Sequence, residues 1–279
     1  MKKYLALILA AVLLPLTISA KDNKPREGVT VMSFNIRNSS EKDGTNSWQY
    51  RYPATAMMID DKGPDIIGLQ EASAEQVEYF KTVFDKTYRS IGVGGEDGKK
   101  KGEFEAILYN KNTTSPVKYG TFWLSETPDK PSKGWDAEHF RSATWAIFKD
   151  KETGGRYLVV NTHIDEDGTE AQKNGVQLIA DKLGEINPEG LPVFVIGDFS
   201  MEPADAGLAP MKNALSDARS SATITDDTLS FNGWGKVKKT IDYIWFKGCS
   251  CIKFETVNKA YYERTFISDH FPILATFVL

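Results

Sequence analysis

The chain has 279 residues, of which 41% are hydrophobic and 26% charged, with 22 Gly, 12 Pro, 2 Cys and a formal net charge of −4. These shares exclude a collagen-like, low-complexity or wholly disordered chain, and two cysteines exclude a small disulfide-stapled fold. The acidic balance supplies no general attraction to nucleic acid or anionic lipid, although a local basic groove is compatible with it.

The first 20 residues read as a cleaved signal peptide. Lys2 and Lys3 form a positive start, Leu5 to Leu16 is an apolar run too short to span a bilayer, and Ala20 offers a small residue for cleavage. The leader carries 2 of the 34 basic residues and none of the 38 acids, so the mature chain has a net charge of −6. Residues 21–27 are expected to be disordered, and 28–279 to form a single domain. The expected location is periplasmic or secreted, without stable membrane insertion.

Strand and helix patterns then alternate. Val29 to Phe34 alternates as a strand does, and Ala54, Met57 and Met58 fall at helical spacing before Pro64. Asp65 to Leu69 is a short apolar strand, and Val77, Phe80 and Phe84 mark a second helix. Glu103 to Tyr109, Val117 to Leu124, Ser142 to Phe148 and Tyr157 to Asn161 read as strands. Val176, Ile179, Leu183 and Ile186 give the clearest amphipathic helix. Val193 to Ile196 is apolar throughout, as a strand covered on both faces is. Ile241 to Phe246, Cys251 to Val257 and Phe271 to Phe277 complete the strands. Many strand neighbours have no helix between them, which favours two packed sheets with helices outside. Cys249 and Cys251 are two apart in a strand, roughly 6.6 Å at Cα, so a disulfide there needs a bent backbone.

Polar residues collect at the ends of these strands. Asn35 follows the first and Glu71 the second. His163 and Asp165 follow a third, and Asp198 a fourth. Asp242 lies in Thr-Ile-Asp-Tyr, and Asp269 and His270 precede the last strand. Functional groups from distant sequence converge at such positions on a rigid scaffold. Carboxylates and imidazoles together suit a hydrolytic metal site. The chain has only 3 His, so an imidazole mechanism draws on His139, His163 and His270 alone.

The set resembles the endonuclease/exonuclease/phosphatase superfamily, the deoxyribonuclease I-like proteins. The segments that carry the resemblance are Met32-Ser-Phe-Asn-Ile36, Asp65-Ile-Ile-Gly-Leu-Gln-Glu71, Asn161-Thr-His163, Gly197-Asp-Phe199, Ile241-Asp-Tyr243 and Ser268-Asp-His270, in the family's order. The stretch around Asn46-Ser-Trp48 and Arg51, and that from Trp135 to Trp145, resemble an exported bacterial branch without an assigned substrate. The resemblance implies an α+β fold, a four-layer α/β/β/α sandwich of two mixed sheets flanked by helices. It implies metal-assisted in-line hydrolysis of a phosphodiester or phosphomonoester, with Mg²⁺ or Mn²⁺ as cofactor. Asn35, Glu71 and Asp269 are the expected metal residues. His163, Asp198, Ser200, Asp242 and His270 are the expected catalytic set. Arg141, Trp48, Trp135 and His139 are candidates for substrate binding. The expected substrate is a phosphorylated small molecule or a nucleic acid, and a monomer without a protein partner is expected. Loops 38–50, 92–103 and 125–141 are expected to shape the pocket.

Ser200 departs from the family, which usually carries Asn there. An amide offers two donors and an acceptor, and a hydroxyl on a shorter arm offers one donor. The departure raises an alternative: an attenuated or inactive relative that binds a phosphorylated or sugar ligand without turnover.

Overall fold

A computed structural model describes residues 26–279. The expected signal peptide, and residues 21–25 of the segment expected to be disordered, lie outside the described residues. Order begins before residue 28, because Arg26 donates to Asp65 Oδ1 at 2.7 Å and pairs with Asp150.

In chain order the strands and helices are β1 (Val29–Asn35), α1 (Trp48–Lys62), β2 (Ile66–Gln70), α2 (Ala74–Val83), β3 (Tyr88–Ile91), β4 (Ile107–Asn110), β5 (Thr114–Trp123), β6 (Ser142–Asp150), β7 (Arg156–His163), α3 (Thr169–Ile186), β8 (Val193–Asp198), α4 (Ala209–Ala214), β9 (Ser216–Asp217), α5 (Ala218–Ser221), β10 (Asp242–Lys247), β11 (Ser250–Thr256) and β12 (Ile273–Val278). Helix α1 stops at Gly63, whose left-handed conformation (φ 52°) lets its N–H close on Ile59 O before Pro64. Helix α2 starts with a capping box in which Ser73 and Gln76 satisfy each other's backbone N–H.

Two six-stranded sheets result, ordered β11-β12-β1-β2-β4-β3 and β5-β6-β7-β8-β10-β9. Within each, one central pair is parallel, β1 with β2 and β7 with β8, and the other pairs are antiparallel. Each parallel pair is joined through a helix, α1 in the first sheet and α3 in the second. The α/β/β/α sandwich is therefore built from two similar halves.

Strand alternation explains the layers. In β7, Tyr157 and Val159 face the other sheet, and Leu158 and Val160 face the helices. In β8, Phe194 and Ile196 face inward, and Val193 and Val195 face outward. Both faces are covered, which is why these strands are apolar throughout. In β1, Val31 joins the layer between the sheets, and Met32 and Phe34 join the layer under α1 and α2.

The inter-sheet layer turns polar at its top. Asn161 Nδ2 donates to Leu69 O at 2.8 Å and to Ala106 O at 3.1 Å, and Asn161 Oδ1 accepts from Gln70 Nε2 at 2.7 Å. This amide ties the two sheets together directly beneath the candidate site. It also requires Gly68, where a Cβ would lie 2.4 Å from Asn161 Oδ1.

Some elements differ from expectation. The strand expected from Glu103 begins at Ile107, because Phe104 makes only isolated bridges to Ala72 and Gly94. Strands β3 and β9 and helices α4 and α5 are too short for a periodic signal. Cys249 and Cys251 are both free thiols. Among the described residues, no helix is long and apolar enough to cross a membrane.

Candidate active site

The carboxyl ends of the two parallel strand pairs lie side by side, and each ends in a polar residue. Asn35 ends β1, Glu71 follows β2, His163 ends β7 and Asp198 ends β8. Crevices at the carboxyl ends of parallel strands are the usual ligand sites of α/β sheets. Strand β10 runs antiparallel to β8 in a register that sets Asp242 opposite Asp198. The segment before β12 brings Ser268, Asp269 and His270 back over β1, with Ser268 Oγ 2.8 Å from Asn35 O.

Hydrogen bonds join these groups into one cluster. Asn35 Nδ2 donates to Glu71 Oε1 at 2.9 Å and to Asp198 Oδ2 at 3.0 Å. Asn35 Oδ1 accepts the Arg37 N–H at 3.0 Å. Asn35, expected beside a metal, thus uses its amide to hold two carboxylates in place. Glu71 adopts a left-handed conformation (φ 57°), and its Oε2 accepts the Asn38 N–H at 3.2 Å. Asp198 Oδ2 lies 3.5 Å from His163 Nε2 and 3.6 Å from His270 Nε2, so both rings flank one carboxylate.

The rings stand in opposite electrostatic settings. His270 Nδ1 donates to Asp242 Oδ2 at 2.9 Å. Burial disfavours its charge, but the carboxylates of Asp242 and Asp198 outweigh that and raise its pKa to about 10. His163 Nδ1 lies 2.8 Å from Arg141 Nη1. Burial, and next the Arg141 charge, push His163 well below its ordinary value. Burial and the Asp242 carboxylate push Asp198 up, against the opposing charge of His270.

Arg141 is 4% exposed. Its partners are Glu103 Oε2 at 3.1 Å, His163 Nδ1 at 2.8 Å and, at 3.5 Å from Nε, Asp165 Oδ2. Its Nε makes no hydrogen bond, and its Nη1 sits against the Nδ1 side of His163. Asp165 accepts the backbone N–H groups of Gly168 at 2.9 Å and His139 at 3.1 Å, and so ties the 125–141 loop to the end of β7.

Ser200 reaches the cluster through its backbone. Its N–H donates to Asp198 Oδ1 at 2.9 Å, and its hydroxyl turns away to donate to Ile164 O at 3.0 Å. Its left-handed conformation (φ 53°) is one that Asn adopts more readily than Ser.

Three expected substrate contacts fall in different places. His139 is exposed and lines a cleft of about 690 Å³ with Asn38, Glu41, Glu96, Lys100, Glu103 and Lys133. Trp48 does not line this cleft: it is 6% exposed and packs edge-on against Tyr79 and Phe80, because its ring starts α1 on the core side. Trp135 is half-buried and also lies outside the cleft lining, its backbone N–H directed at the Glu126 carboxylate.

Arg37, Glu103 and Glu105 join the cluster although no motif marks them. Arg37, left-handed at φ 60°, lies between carboxylates: Asp43 at 3.1 Å, Asp269 at 3.7 Å and Glu71 at 3.9 Å. Burial works against its charge, but Asp43, Asp269 and Glu71 raise its pKa above the ordinary value. Its position two residues past a strand-end Asn was the available signal. Glu105 is 1% exposed, and its Oε2 has no hydrogen-bond partner. Burial pushes it well above the carboxylate range.

The donor set suits a hard divalent cation. Glu71 and Asp269 supply carboxylate oxygens, partly open to solvent, around a space where Arg37 already places positive charge. Asp198, Asp242 and His270 form a second group with ligand atoms within 4.8 Å of one another. There His270 Nδ1 is already engaged by Asp242 Oδ2, whereas Glu71 and Asp269 flank the Arg37 guanidinium.

The family model described as "Endonuclease/Exonuclease/phosphatase family" matches residues 32–270. A mannosyl-6-phosphatase of Bacteroides thetaiotaomicron is 33% identical, with a TM-score of 0.86 over 90% of this chain and 100% of that one. An endonuclease/exonuclease/phosphatase of Bacteroides vulgatus is 34% identical, with a TM-score of 0.85 over 91% and 100%. The human nocturnin catalytic domain, solved with a bound sulfate, shares the fold at 18% identity and a TM-score of 0.71, over 90% and 93%.

Proposed function

The chain belongs to the endonuclease/exonuclease/phosphatase family, and on that premise we propose that it is an exported, divalent-metal-dependent phosphomonoesterase for a small polar molecule such as a sugar phosphate. The observation that carries the reading is the convergence of Glu71, His163, Asp198, Asp242, Asp269 and His270 around Asn35 at the ends of the two parallel strand pairs.

Each residue has a role that follows from its surroundings. Glu71 and Asp269 would hold Mg²⁺ or Mn²⁺, which when bound polarises the phosphoryl group and offsets charge on the leaving oxygen. Asp198, raised by burial toward neutrality, orients the attacking water and accepts its proton. His270, kept cationic by Asp242, donates to a phosphoryl oxygen. His163 donates from the other side of Asp198.

Two facts favour a small substrate over a nucleic acid. The adjoining cleft carries Glu41, Glu96, Glu103 and Glu138 against Lys100 and Lys133, which suits hydroxyl groups and repels a polyanion. The relative at 33% identity over 90% of this chain is a mannosyl-6-phosphatase. The leader at residues 1–20 supports a periplasmic or secreted site of action, and we expect a monomer.

The alternative, a binder without turnover, rests on the Ser200 hydroxyl facing Ile164 O rather than the Asp198 side of the cleft. The test is hydrolysis of p-nitrophenyl phosphate and bis-(p-nitrophenyl) phosphate with Mg²⁺ or Mn²⁺. Turnover abolished by EDTA and by His270→Ala supports an enzyme, and faster release from the monoester supports the monoesterase reading. No turnover of either, with retained ligand binding, supports the binder.

A further inference from the structure

We propose that Arg141 is a positioning residue that locks His163 in its neutral, Nε2-protonated form, so that His163 holds a phosphoryl oxygen as a hydrogen-bond donor and transfers no proton. This rests on the phosphoesterase reading for the identity of the oxygen, but not for the tautomer.

The geometry leaves one proton arrangement. A guanidinium has five N–H donors and no acceptor. Arg141 Nη1 is 2.8 Å from His163 Nδ1 and 3.1 Å from Glu103 Oε2, so each of its two hydrogens has one partner. Nδ1 must therefore accept, and it cannot carry a proton. The single imidazole proton then sits on Nε2. That nitrogen is 3.5 Å from Asp198 Oδ2, too far for a strong hydrogen bond, so the N–H remains available beside the carboxylate proposed to activate water.

The surroundings keep this arrangement in place. Arg141 and His163 are 4% and 2% exposed. Arg141 cannot lose its proton in a protein. Glu103 accepts from its Nη1 at 3.1 Å, Asp165 Oδ2 lies 3.5 Å from its Nε, and the Glu105 carboxyl lies within 4.8 Å of Glu103 and the His163 ring. The groups that face His163 are Arg141, Glu103, Glu105, Asp198, His270 and His139. Burial and the three positive or potentially positive neighbours all oppose a second proton on the ring.

His270 shows the opposite device. Its Nδ1 faces the Asp242 carboxylate, which only accepts, so Nδ1 is protonated there. One ring has a cation behind it and the other an anion, which separates a fixed donor from a charged one around Asp198.

The test is two-bond ¹H–¹⁵N correlation of imidazole nitrogens in the metal-free full chain labelled with ¹⁵N-histidine, at pH 7, with assignment by His163→Gln. The expected His163 pattern is a neutral ring protonated at Nε2. Arg141→Lys, whose ammonium also only donates, retains that pattern. Arg141→Met exposes Nδ1 to Glu103 and moves the proton toward Nδ1, with a fall in kcat of tenfold or more and little change in KM. A wild-type ring protonated at Nδ1, or at both nitrogens, overturns the proposal, as does an unchanged pattern in Arg141→Met. If Arg141→Met does not fold, the wild-type and Arg141→Lys spectra decide alone. If no substrate turns over, the functional reading fails and the tautomer result still stands.

Discussion

Asp242 Oδ2 is 2.9 Å from His270 Nδ1, and both side chains are buried behind the Asp198 carboxylate. The pair makes stability depend on pH. The folded ring holds its proton up to about pH 10, whereas the unfolded ring loses it near its ordinary 6.5. Between those values the folded state binds more protons, so this contribution is complete below 6.5 and is lost as pH rises through about 10. In EDTA, wild-type thermal stability is expected to fall across that window, and Asp242→Asn to show a flatter profile. Phosphoesterase activity of Asp242→Asn is expected to drop by about 10²- to 10⁴-fold, because the ring loses the carboxylate that holds its tautomer and charge. Identical pH slopes for the two proteins would count against the pairing.

Ser200 offers a gain-of-function test. Its hydroxyl is committed to Ile164 O, and its backbone is left-handed. Ser200→Asn is expected to fit that backbone better, with a gain of a few tenths of a kcal/mol, and to point an amide donor toward the phosphoryl site. Since one such donor is worth on the order of 10²–10³ in rate, kcat is expected to rise at least about tenfold. Steady-state kinetics and a melting curve check both effects.

Arg37 competes for the carboxylates that suit a cation. Its guanidinium is 3.7 Å from Asp269 and 3.9 Å from Glu71, and it is partly open to solvent. After screening, each partly exposed contact of this kind is worth roughly 0.2–1 kcal/mol. Arg37→Met is therefore expected to tighten Mn²⁺ binding by up to about fivefold. Calorimetric titration reads the change, and a weaker affinity would show that Arg37 organises the cradle instead.

Arg51 is a buried strut. It donates to Asn46 O, Ile36 O, Ile267 O and Arg37 O at 2.6–3.1 Å, and burial works against its charge. It thus holds the Ile36–Arg37 turn against the segment that leads into Asp269 and His270. Arg51→Met leaves several buried carbonyls unpaired and is expected to cost about 3 kcal/mol or more. Chemical denaturation measures it, and a loss below about 1 kcal/mol would contradict the role.

Residues at the ends of apolar strands were legible because the pattern places them. Asn35, Glu71, His163 and Asp198 each follow an alternating or continuous apolar run, and strand geometry carries them to one edge. The two-sheet core was legible for the same reason. Arg37, Glu103 and Glu105 were not, because a charged residue's burial depends on what crosses it. Glu103 and Arg141 are 38 positions apart and meet only when loop 92–103 packs on β6. The Arg141 role depends on which side of His163 it occupies, which no spacing encodes. Trp48 was legible only in part: most of its ring packs into the core from the first turn of α1, and its remaining edge lines a cleft with Ser39, Glu41 and Lys42.

The most direct measurement is inorganic phosphate release from hexose 6-phosphates by the full chain with Mn²⁺ or Mg²⁺, beside His270→Ala and a single-stranded DNA substrate. Phosphate release from the sugar phosphates is expected, lost with EDTA and with His270→Ala, with little cleavage of DNA. Release that persists in His270→Ala, or DNA cleavage that outpaces sugar-phosphate hydrolysis, would contradict this expectation.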